Sequence, residues 1–371
     1  MEPVPQRGDG RGQRCEPDAR NEKETNVDVD VLREPLQAPC AWTGAVMRRT
    51  AEWRYQLTLD EVAELEEARD CARRSGLPPE QVGVEAFPLP RLGEIARGWA
   101  DELENGRGFL LIKGLPVERY TEEDAALIFG GIGRHMGIPV SQNASGDFIG
   151  HVRDTGRSIR DPSVRGYQTT VRLPYHTDGS DVVGLLCLKP ALSGGVSTIV
   201  SSTTVYNEIV RRRPDLVDVL YEPFYFDRRE EQGPGESPWY VTRLVCYRGG
   251  KLSMRYIRGF IESAQRFAEV PRLSARQVEL LDLIDSVATD TENYLDMDFE
   301  PGDMQFVSNY TVMHSRTHYE DHPEPALKRH LLRLWLTLPE GRELDADFGR
   351  GMSAAGAAGQ GRGGVTPRVP A

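Results

Sequence analysis

A histidine and an aspartate stand two residues apart just before an apolar run in the stretch "LPYHTDGSDVVGLLCLKP", residues 173 to 190. In a β-strand alternate side chains share a face, so His176 and Asp178 project together while Thr177 points to the other side. An imidazole and a carboxylate on one face supply two of the three protein ligands of a common type of metal site. The sequence therefore predicts a metal centre where this strand begins.

The third ligand should come from a distant strand, and the best candidate is His314. It lies near the end of "MQFVSNYTVMHSR", an apolar run after a turn, where a strand would hold it rigidly. His318 and His322 lie in the charged segment "THYEDHPEP" and fit solvent-exposed positions better. Two histidines and one carboxylate on one face of an octahedral ion are typical of non-haem Fe(II) oxygenases. A zinc-dependent hydrolase uses the same residue types, and the spacing alone does not separate the two.

An arginine on a predicted core strand favours the oxygenase. In "PALKRHLLRLWLTLPEG" the side chains of Arg329, Leu331, Arg333 and Trp335 share one strand face. A buried arginine is costly to desolvate unless an anion lies beside it. A dicarboxylate that chelates a metal at one end presents a free carboxylate at the other, which a planar guanidinium binds with two hydrogen bonds. A metal-binding module without redox turnover would have no need of Arg329 in this place.

The ordered set of motifs resembles the TauD/TfdA-like family of Fe(II)- and 2-oxoglutarate-dependent dioxygenases. The set comprises His176-x-Asp178, the glycine pair before "VSTIVSS", "PGDMQFVSNYTVMHSRTHYED" and "KRHLLRLWL". The resemblance implies a double-stranded β-helix, or jelly-roll, with Fe(II) held by His176, Asp178 and His314. It also implies 2-oxoglutarate as cosubstrate, O₂ as oxidant, and hydroxylation of a C–H bond with release of succinate and CO₂. Desaturation and ring closure stay open as outcomes at the same centre.

The same resemblance assigns residues to cosubstrate and substrate. Arg329 matches the arginine that binds the distal carboxylate of 2-oxoglutarate. In "GGVST", Ser197 or Thr198 matches a hydroxyl that contacts 2-oxoglutarate, and Thr198 is preferred. Arg333, four residues after Arg329, matches a position that faces cosubstrate or substrate. Pairing with a carboxylate of the barrel is the alternative role for Arg333.

Two more residues are candidates for substrate contact. Arg172 shares strand parity with His176, and Asn143 follows Gln142 in the loop "PVSQNASG", which should lie near the barrel mouth. A turn-forming role explains Asn143 equally well. Arginines around the pocket of a protein with net charge −12 indicate a substrate that carries a carboxylate, sulfonate or phosphate. We expect a small acid, such as an amino acid.

The composition limits the partners. The 371 residues include 45 Lys and Arg against 57 Asp and Glu, and this acidic balance disfavours nucleic acid and anionic membranes. Five scattered cysteines without a C-x-x-C pair indicate a reducing compartment rather than a disulfide framework. No apolar segment has the length of a signal peptide or a membrane span. We expect a cytoplasmic enzyme with a small-molecule substrate, and a homo-oligomer stays open.

Sequence patterns of helices and strands indicate how these residues are positioned. They predict a mainly β (α+β) fold with a jelly-roll core, packed N-terminal helices and one helical insert. A capping box at Thr58 and Glu61 starts the first helix, which ends at Gly76. Two further helices are predicted at about 91–105 and in "YTEEDAALIFGGIGRHMG", with the strand of "GRGFLLIKGLP" between them. The insert is "LSARQVELLDLIDSVA".

Tails are predicted at both ends of one domain. Residues 1–48 are rich in Pro, Gly and charge, and residues 346–371 are rich in Gly, Ala and Arg. Such compositions bury too little apolar surface to offset chain entropy. We therefore expect two disordered tails that flank a dioxygenase domain at 49–345.

Overall fold

The computed structural model describes residues 30–143, 145–158, 164–232, 235–345, 348 and 363–365. The helices are α1 (Gly44–Met47), α2 (Leu59–Ser75), α3 (Leu92–Glu104), α4 (Glu122–Met136), α5 (Ser202–Arg212), α6 (Arg258–Ala264) and α7 (Ala275–Ala288). The first strands are β1 (Arg54–Gln56), β2 (Phe109–Lys113), β3 (Ile138–Pro139), β4 (Ile149–Val152), β5 (Leu173–His176), β6 (Val182–Lys189), β7 (Ser193–Gly194) and β8 (Ser197–Ser201). The remaining strands are β9 (Phe224–Asp227), β10 (Trp239–Thr242), β11 (Val245–Arg248), β12 (Lys251–Met254), β13 (Tyr294–Met297), β14 (Met304–Ser308), β15 (Val312–Arg316), β16 (Tyr319–Glu320) and β17 (His330–Thr337).

Two sheets lie face to face and enclose the core. The larger sheet has the strand order β1-β2-β14-β6-β17-β3, with β4 also paired to β17, and the smaller has the order β13-β8-β15-β5. The chain alternates between the two sheets along β5, β6 and β8, and again along β13, β14, β15 and β17, as in a jelly-roll. Phe109 and Trp335 of the larger sheet pack against Ile199 and Leu295 of the smaller one. This confirms the predicted mainly β fold with a jelly-roll core.

The alternation of side chains along β17 divides its residues between two environments. Leu332, Leu334 and Leu336 point outward and pack under the helices. Burying each leucine contributes about 1.5–3 kcal/mol, so the strand register is strongly fixed. The intervening positions, which include Arg333 and Trp335, therefore have to face the interior between the sheets.

Helices cover the outer faces of both sheets. The outer face of the larger sheet is covered by α2, α3 and α4, and that of the smaller sheet packs with α5 and α7. The predicted capping box of α2 is present, and the helix ends at Gly76, whose φ of 67° suits glycine. The capping box of α7, formed by Ser274 and Gln277, is also present. None of the helices in the described ranges is long and apolar enough to cross a membrane.

The prediction of one helical insert is incomplete. Besides α7, the structure contains α5 and α6 between β8 and β13. The sequence of α5 begins with Thr203, Thr204 and Val205 after Ser202, and such β-branched residues favour a strand when read locally. The helix forms because the Ser201 hydroxyl accepts the Thr204 N–H at 2.9 Å and the apolar face is buried against α7.

The predicted N-terminal tail is too long. Leu32 and Trp42 are buried, and Trp42 packs on Phe109 with ring centroids 4.8 Å apart. Residues 30–48 therefore belong to the packed structure, because their two large apolar side chains reach the core. Residues 1–29 lie outside the described residues.

Part of the predicted C-terminal tail is also packed. Phe348 is buried. The Gly364 N–H donates to the Gly179 carbonyl at 2.7 Å, and the Val365 N–H donates to the Ser141 carbonyl at 2.9 Å. These hydrogen bonds place residues 363–365 beside the loop that follows β5. The other residues of 346–371 lie outside the described residues.

Candidate active site

The three predicted ligand residues meet at one end of the smaller sheet. His176 ends β5 and lies opposite His314 of β15 in the antiparallel register, while Asp178 lies in the loop after β5. His176 Nε2 is 3.8 Å from Asp178 Oδ1, and His314 Nε2 is 3.9 Å from Asp178 Oδ2. The two rings have centroids 4.3 Å apart. A single ion could therefore be bound by all three side chains.

The charge states of the triad suit a divalent metal. Burial lowers the pKa of His176, and burial together with His176 lowers the pKa of His314 to about 3, so both imidazoles are neutral. Burial acts to raise the pKa of Asp178, but Arg333 and the two histidines outweigh it and lower that pKa to about 2. His176 Nδ1 lies 2.8 Å from the Pro174 carbonyl, which leaves Nε2 for a metal. Two neutral imidazoles and one carboxylate form the donor set that Fe(II) takes in a facial triad.

The loop that carries Asp178 is held from several sides. The Trp335 indole N–H donates to Asp178 Oδ2 at 3.0 Å, and Asn309 Oδ1 accepts the Asp178 N–H at 2.9 Å. Arg255 donates to the Thr177 carbonyl, to the Thr177 hydroxyl at 3.0 Å and to the Asp178 carbonyl at 3.2 Å. Sequence reasoning missed both residues. Arg255 lies far from Asp178 in the chain and in no motif, and Asn309 lies within the motif that contains His314 but gives no local sign of a contact with Asp178.

A cavity of about 430 Å³ opens beside the triad. Its walls come from the inner faces of both sheets, from the loops around them and from Val365 near the C-terminus. Residues that line it include Gln142, Ser197, Arg316, Arg329, Arg333 and Val365.

Two buried arginines lie together in this wall. Arg329 is 4% exposed and Arg316 is 5% exposed, and their guanidinium carbons lie 5.1 Å and 4.7 Å from the centre of the Tyr319 ring. Burial lowers the pKa of Arg329, and burial together with Arg329 lowers the pKa of Arg316 to about 10. Among the described residues, Arg329 Nη1 and Arg316 Nε and Nη1 have no hydrogen-bond partner. Both side chains remain cationic near neutral pH, so the pair requires an anion.

Arg316 is a residue that the sequence analysis missed, although a signal for it exists. It stands two residues after His314 on β15, so strand alternation places both side chains on the inner face. The same argument identified Arg329 and Arg333 on β17. Applied to β15, it would have found Arg316.

Of the two hydroxyl candidates, only Ser197 lines the cavity. Its hydroxyl donates to Gln305 Oε1 at 3.0 Å across the two sheets. Thr198 projects to the opposite face of β8, where it is hydrogen-bonded with Tyr175. The preference for Thr198 is therefore corrected, because neighbouring residues of a strand cannot share a face.

Arg333 occupies the position expected for it and also has protein partners. Its Nε donates to Gln142 Oε1 at 2.6 Å, and its Nη1 lies 3.8 Å from Asp178 Oδ2. The guanidinium carbon lies 4.5 Å from the Tyr167 ring centre and 4.8 Å from that of Trp335. Both roles predicted for Arg333, facing the cavity and pairing with a carboxylate, are compatible with this geometry.

The other two substrate candidates lie outside the cavity. Arg172 is exposed just before β5 and does not line the wall. The Asn143 side chain stabilises a turn, since its Oδ1 accepts the N–H groups of Ser145 and Asp147. Gln142, the preceding residue, is the one that lines the cavity.

The sequence of this chain matches a known enzyme family over most of its length. The family described as "Taurine catabolism dioxygenase TauD, TfdA family" matches residues 73–335. The chain belongs to the TauD/TfdA family. This confirms the resemblance and the enzyme class, an oxidoreductase that depends on iron and 2-oxoglutarate and uses O₂. Family membership also decides against the zinc hydrolase and the binding module without turnover.

Two curated relatives cover most of the chain. One is FR-33289 synthase of Streptomyces rubellomurinus (strain ATCC 31215), 33% identical over 338 residues, which cover 88% of this chain and 98% of that protein. The other is the taurine hydroxylase-like protein SAT17 of Stachybotrys chartarum (strain CBS 109288 / IBT 7711), 29% identical over 346 residues, which cover 87% of this chain and 88% of that protein.

Solved structures share the fold of this TauD/TfdA chain. Asparagine oxygenase in complex with Fe(II), 3-hydroxyasparagine and succinate gives a TM-score of 0.58 at 16% identity, covering 77% of this chain and 94% of that one. The non-haem iron oxygenase OrfP with Fe and α-ketoglutaric acid gives a TM-score of 0.58 at 15% identity, covering 76% and 94%. The likeness at these identities shows a shared fold.

Proposed function

We propose that this dioxygenase hydroxylates a C–H bond of a small anionic substrate, acidic or amino-acid-like, and converts 2-oxoglutarate to succinate and CO₂. The observation that carries the proposal is the pair of neutral histidines with ionised Asp178, which faces the same cavity as Arg316 and Arg329, two buried arginines that form no ion pair with a carboxylate in the described part of the chain. The triad fits a metal, and the arginine pair fits the far end of a dicarboxylate.

In this proposal His176, Asp178 and His314 hold Fe(II). Bound there, the ion supplies the chelation site for 2-oxoglutarate and the redox chemistry with O₂. The chain keeps both imidazoles neutral and Asp178 ionised before the metal arrives, so that binding requires no change of protonation. Trp335 and Arg255 then fix the carboxylate and its loop in one orientation.

Arg329 and Arg316 bind the distal carboxylate of 2-oxoglutarate in this proposal. A planar guanidinium offers paired N–H donors, and two such groups beside one carboxylate neutralise it in a dry site. The glycine pair of the "GGVST" motif makes room for this arrangement. A Cβ on Gly195 would lie 3.1 Å from Arg329 Nε, and the φ of 71° at this residue also favours glycine. Ser197 lies on the same wall and adds a hydroxyl.

An anionic substrate is supported by the charges around the cavity. Eight arginines and four carboxylate side chains are among the described residues that line it, although the protein as a whole is acidic. One of the four carboxylates is Asp178, which is assigned to the metal. Arg333 lies next to it and is directed into the cavity, so it is suited to orient an acidic group close to the metal. The asparagine and arginine derivatives in the related structures support an amino-acid-like substrate.

The test is an anaerobic titration of the Fe(II) protein with 2-oxoglutarate, followed by visible spectroscopy. We expect the weak metal-to-ligand band of the chelate in the wild type and its loss in His176→Ala. In Arg329→Gln the band should need far more 2-oxoglutarate. Arg172→Gln is the matched control, because it removes an exposed arginine outside the cavity.

The substrate part has a separate readout. The rate of succinate formation is measured in the presence of each of a series of small acids and amino acids. Mass spectrometry then identifies a product that is heavier than the substrate by one oxygen. A band that fails to form with iron bound would overturn the assigned cosubstrate site. A formed band with turnover only on uncharged compounds would overturn the anionic substrate.

A further inference from the structure

A second group of metal-binding side chains lies away from the cavity, on the α4 side of the larger sheet. Glu122 is the first residue of α4, His151 belongs to β4, and His330 is the first residue of β17. His151 Nδ1 is 2.9 Å from His330 Nε2 and 3.4 Å from Glu122 Oε1. His330 Nδ1 is 3.5 Å from Glu122 Oε2. Three elements distant in the chain thus bring three potential ligands together.

The spacing of these atoms suits a small divalent ion. Ligands about 2.0–2.1 Å from a tetrahedral Zn²⁺ lie about 3.3–3.4 Å from one another. The three measured distances use both ring nitrogens of His330 and both oxygens of Glu122, whereas an ion takes one atom from each residue, so side-chain rotations would bring one such set to this spacing. One ligand atom from each of the three residues lies within 4.8 Å of the others.

We propose that Glu122, His151 and His330 form a second metal site, selective for Zn²⁺ or a similar borderline divalent cation. Two imidazoles and one carboxylate are a donor set that such ions accept. The Glu122 and His151 side chains are 50% and 42% exposed, so water can reach the remaining coordination position. His330 is buried and gives the site one rigid ligand.

The surroundings moderate the affinity of this site. Arg153 and Lys189 place positive charge near His330. The Lys189 ammonium is turned to the Ala326 carbonyl, to which it donates at 2.7 Å. The acid that offsets these charges is Glu122 itself, so the carboxylate is the ligand on which binding depends most.

A bound ion would link three parts of the fold. His330 directly follows Arg329, which the proposed function assigns to 2-oxoglutarate, and β4 pairs with β17 along Leu331–Leu334. The ion would tie the start of β17 and the edge strand β4 to the N-terminus of α4. The site is structural in this respect and takes no part in the proposed oxidation.

The test measures zinc uptake in the full-length chain without an affinity tag. The variant His176→Ala/His314→Ala removes the triad, so that any remaining stoichiometric Zn²⁺ reports the second site. In this background Glu122→Gln and His151→Ala are compared by equilibrium dialysis, and His318→Ala, another exposed histidine, is the control. Glu122 and His151 are half exposed, so both changes should leave the fold intact, which circular dichroism checks.

We expect one Zn²⁺ per chain in the triad-free protein and in its His318→Ala form. Either Glu122→Gln or His151→Ala should weaken uptake by about 10-fold or more. No stoichiometric uptake in the triad-free protein would overturn the proposal. Uptake unchanged by His151→Ala would also overturn it, since the ion would then lie elsewhere. Neither result depends on the oxygenase reaction.

Discussion

Two pairs of arginines border the same cavity and differ in what their guanidinium groups contact. Arg316 and Arg329 lie beside Tyr319 and keep side-chain nitrogen atoms that have no hydrogen-bond partner among the residues that the structure describes. Arg255 and Arg333 are hydrogen-bonded to the loop of Asp178 and to Gln142. A buried cation without an anion is destabilising unless a ligand supplies the anion. The first pair is therefore arranged for a ligand, whereas the second pair also holds the protein around the triad.

The largest effect should come from Arg329→Gln. Removing one of the two charged partners of a buried carboxylate costs about 2–5 kcal/mol, which corresponds to a rise of about 30-fold or more in the 2-oxoglutarate concentration for half-maximal rate. Succinate formation against 2-oxoglutarate concentration measures it. An unchanged value would mean that Arg329 does not bind the cosubstrate and that the comparison between the pairs is wrong.

Arg255→Gln should affect the metal rather than the cosubstrate. Losing the hydrogen bonds to Thr177 and Asp178 frees the ligand loop, and we expect Fe(II) affinity to fall by about 10-fold to 100-fold, as for other residues that orient ligands. At saturating iron the 2-oxoglutarate dependence should stay close to the wild-type value. Iron titration at fixed 2-oxoglutarate separates the two quantities. A change confined to 2-oxoglutarate would place Arg255 in the ligand-binding pair.

Arg316→Gln should have opposite effects on binding and stability. The half-maximal 2-oxoglutarate concentration should rise about 10-fold, because one guanidinium, Arg329, remains. Without 2-oxoglutarate the free energy of unfolding of the variant should be about 1 kcal/mol or more higher than that of the wild type, because a desolvated charge beside another cation is removed. The variant should therefore unfold at a higher temperature. Thermal melts with and without the cosubstrate measure both. A lower melting temperature with unaltered 2-oxoglutarate binding would show a structural role only.

The smallest expected effect is the difference in 2-oxoglutarate binding between variants of the neighbouring hydroxyl residues Ser197 and Thr198. Ser197→Ala should weaken 2-oxoglutarate binding by about five-fold, near 1 kcal/mol, because it removes one hydroxyl from the cavity wall. Thr198→Val should leave that binding unchanged, since Thr198 faces away. Parallel titrations of the two variants decide the matter. The reverse order would restore the assignment that the sequence favoured.

Strand alternation made much of the site predictable. His176, His314, Arg329 and Arg333 reach one place because residues at even spacing share a strand face, and apolar neighbours on the other face fix the register. Asp178 lies in the loop after β5, where hydrogen bonds from Trp335 and to Asn309 hold it instead. The helices with capping boxes were predictable for a similar reason, since their signals lie within a few residues. Features that depend on residues a few positions apart can therefore be predicted from the sequence.

Contacts between distant segments were not predictable in this way. Arg255 reaches the Asp178 loop from beyond β12, and Asn309 reaches it from beyond β14. Composition misled at the N-terminus, where buried Leu32 and Trp42, together with hydrogen bonds between Leu36 and Asn207, anchor a polar segment. Predicting helix α5 would have required knowing the position of α7, because the apolar face of α5 is buried against α7.

The segment Gly363–Val365 forms part of the wall of the active-site cavity. Val365 lines the cavity, and Gly364 is hydrogen-bonded to Gly179, the neighbour of Asp178. A protein shortened to residue 345 would keep the whole triad and both arginine pairs but lose this piece of wall. Recombinant forms should therefore carry any added tag at the N-terminus, so that the cavity wall around Val365 is kept.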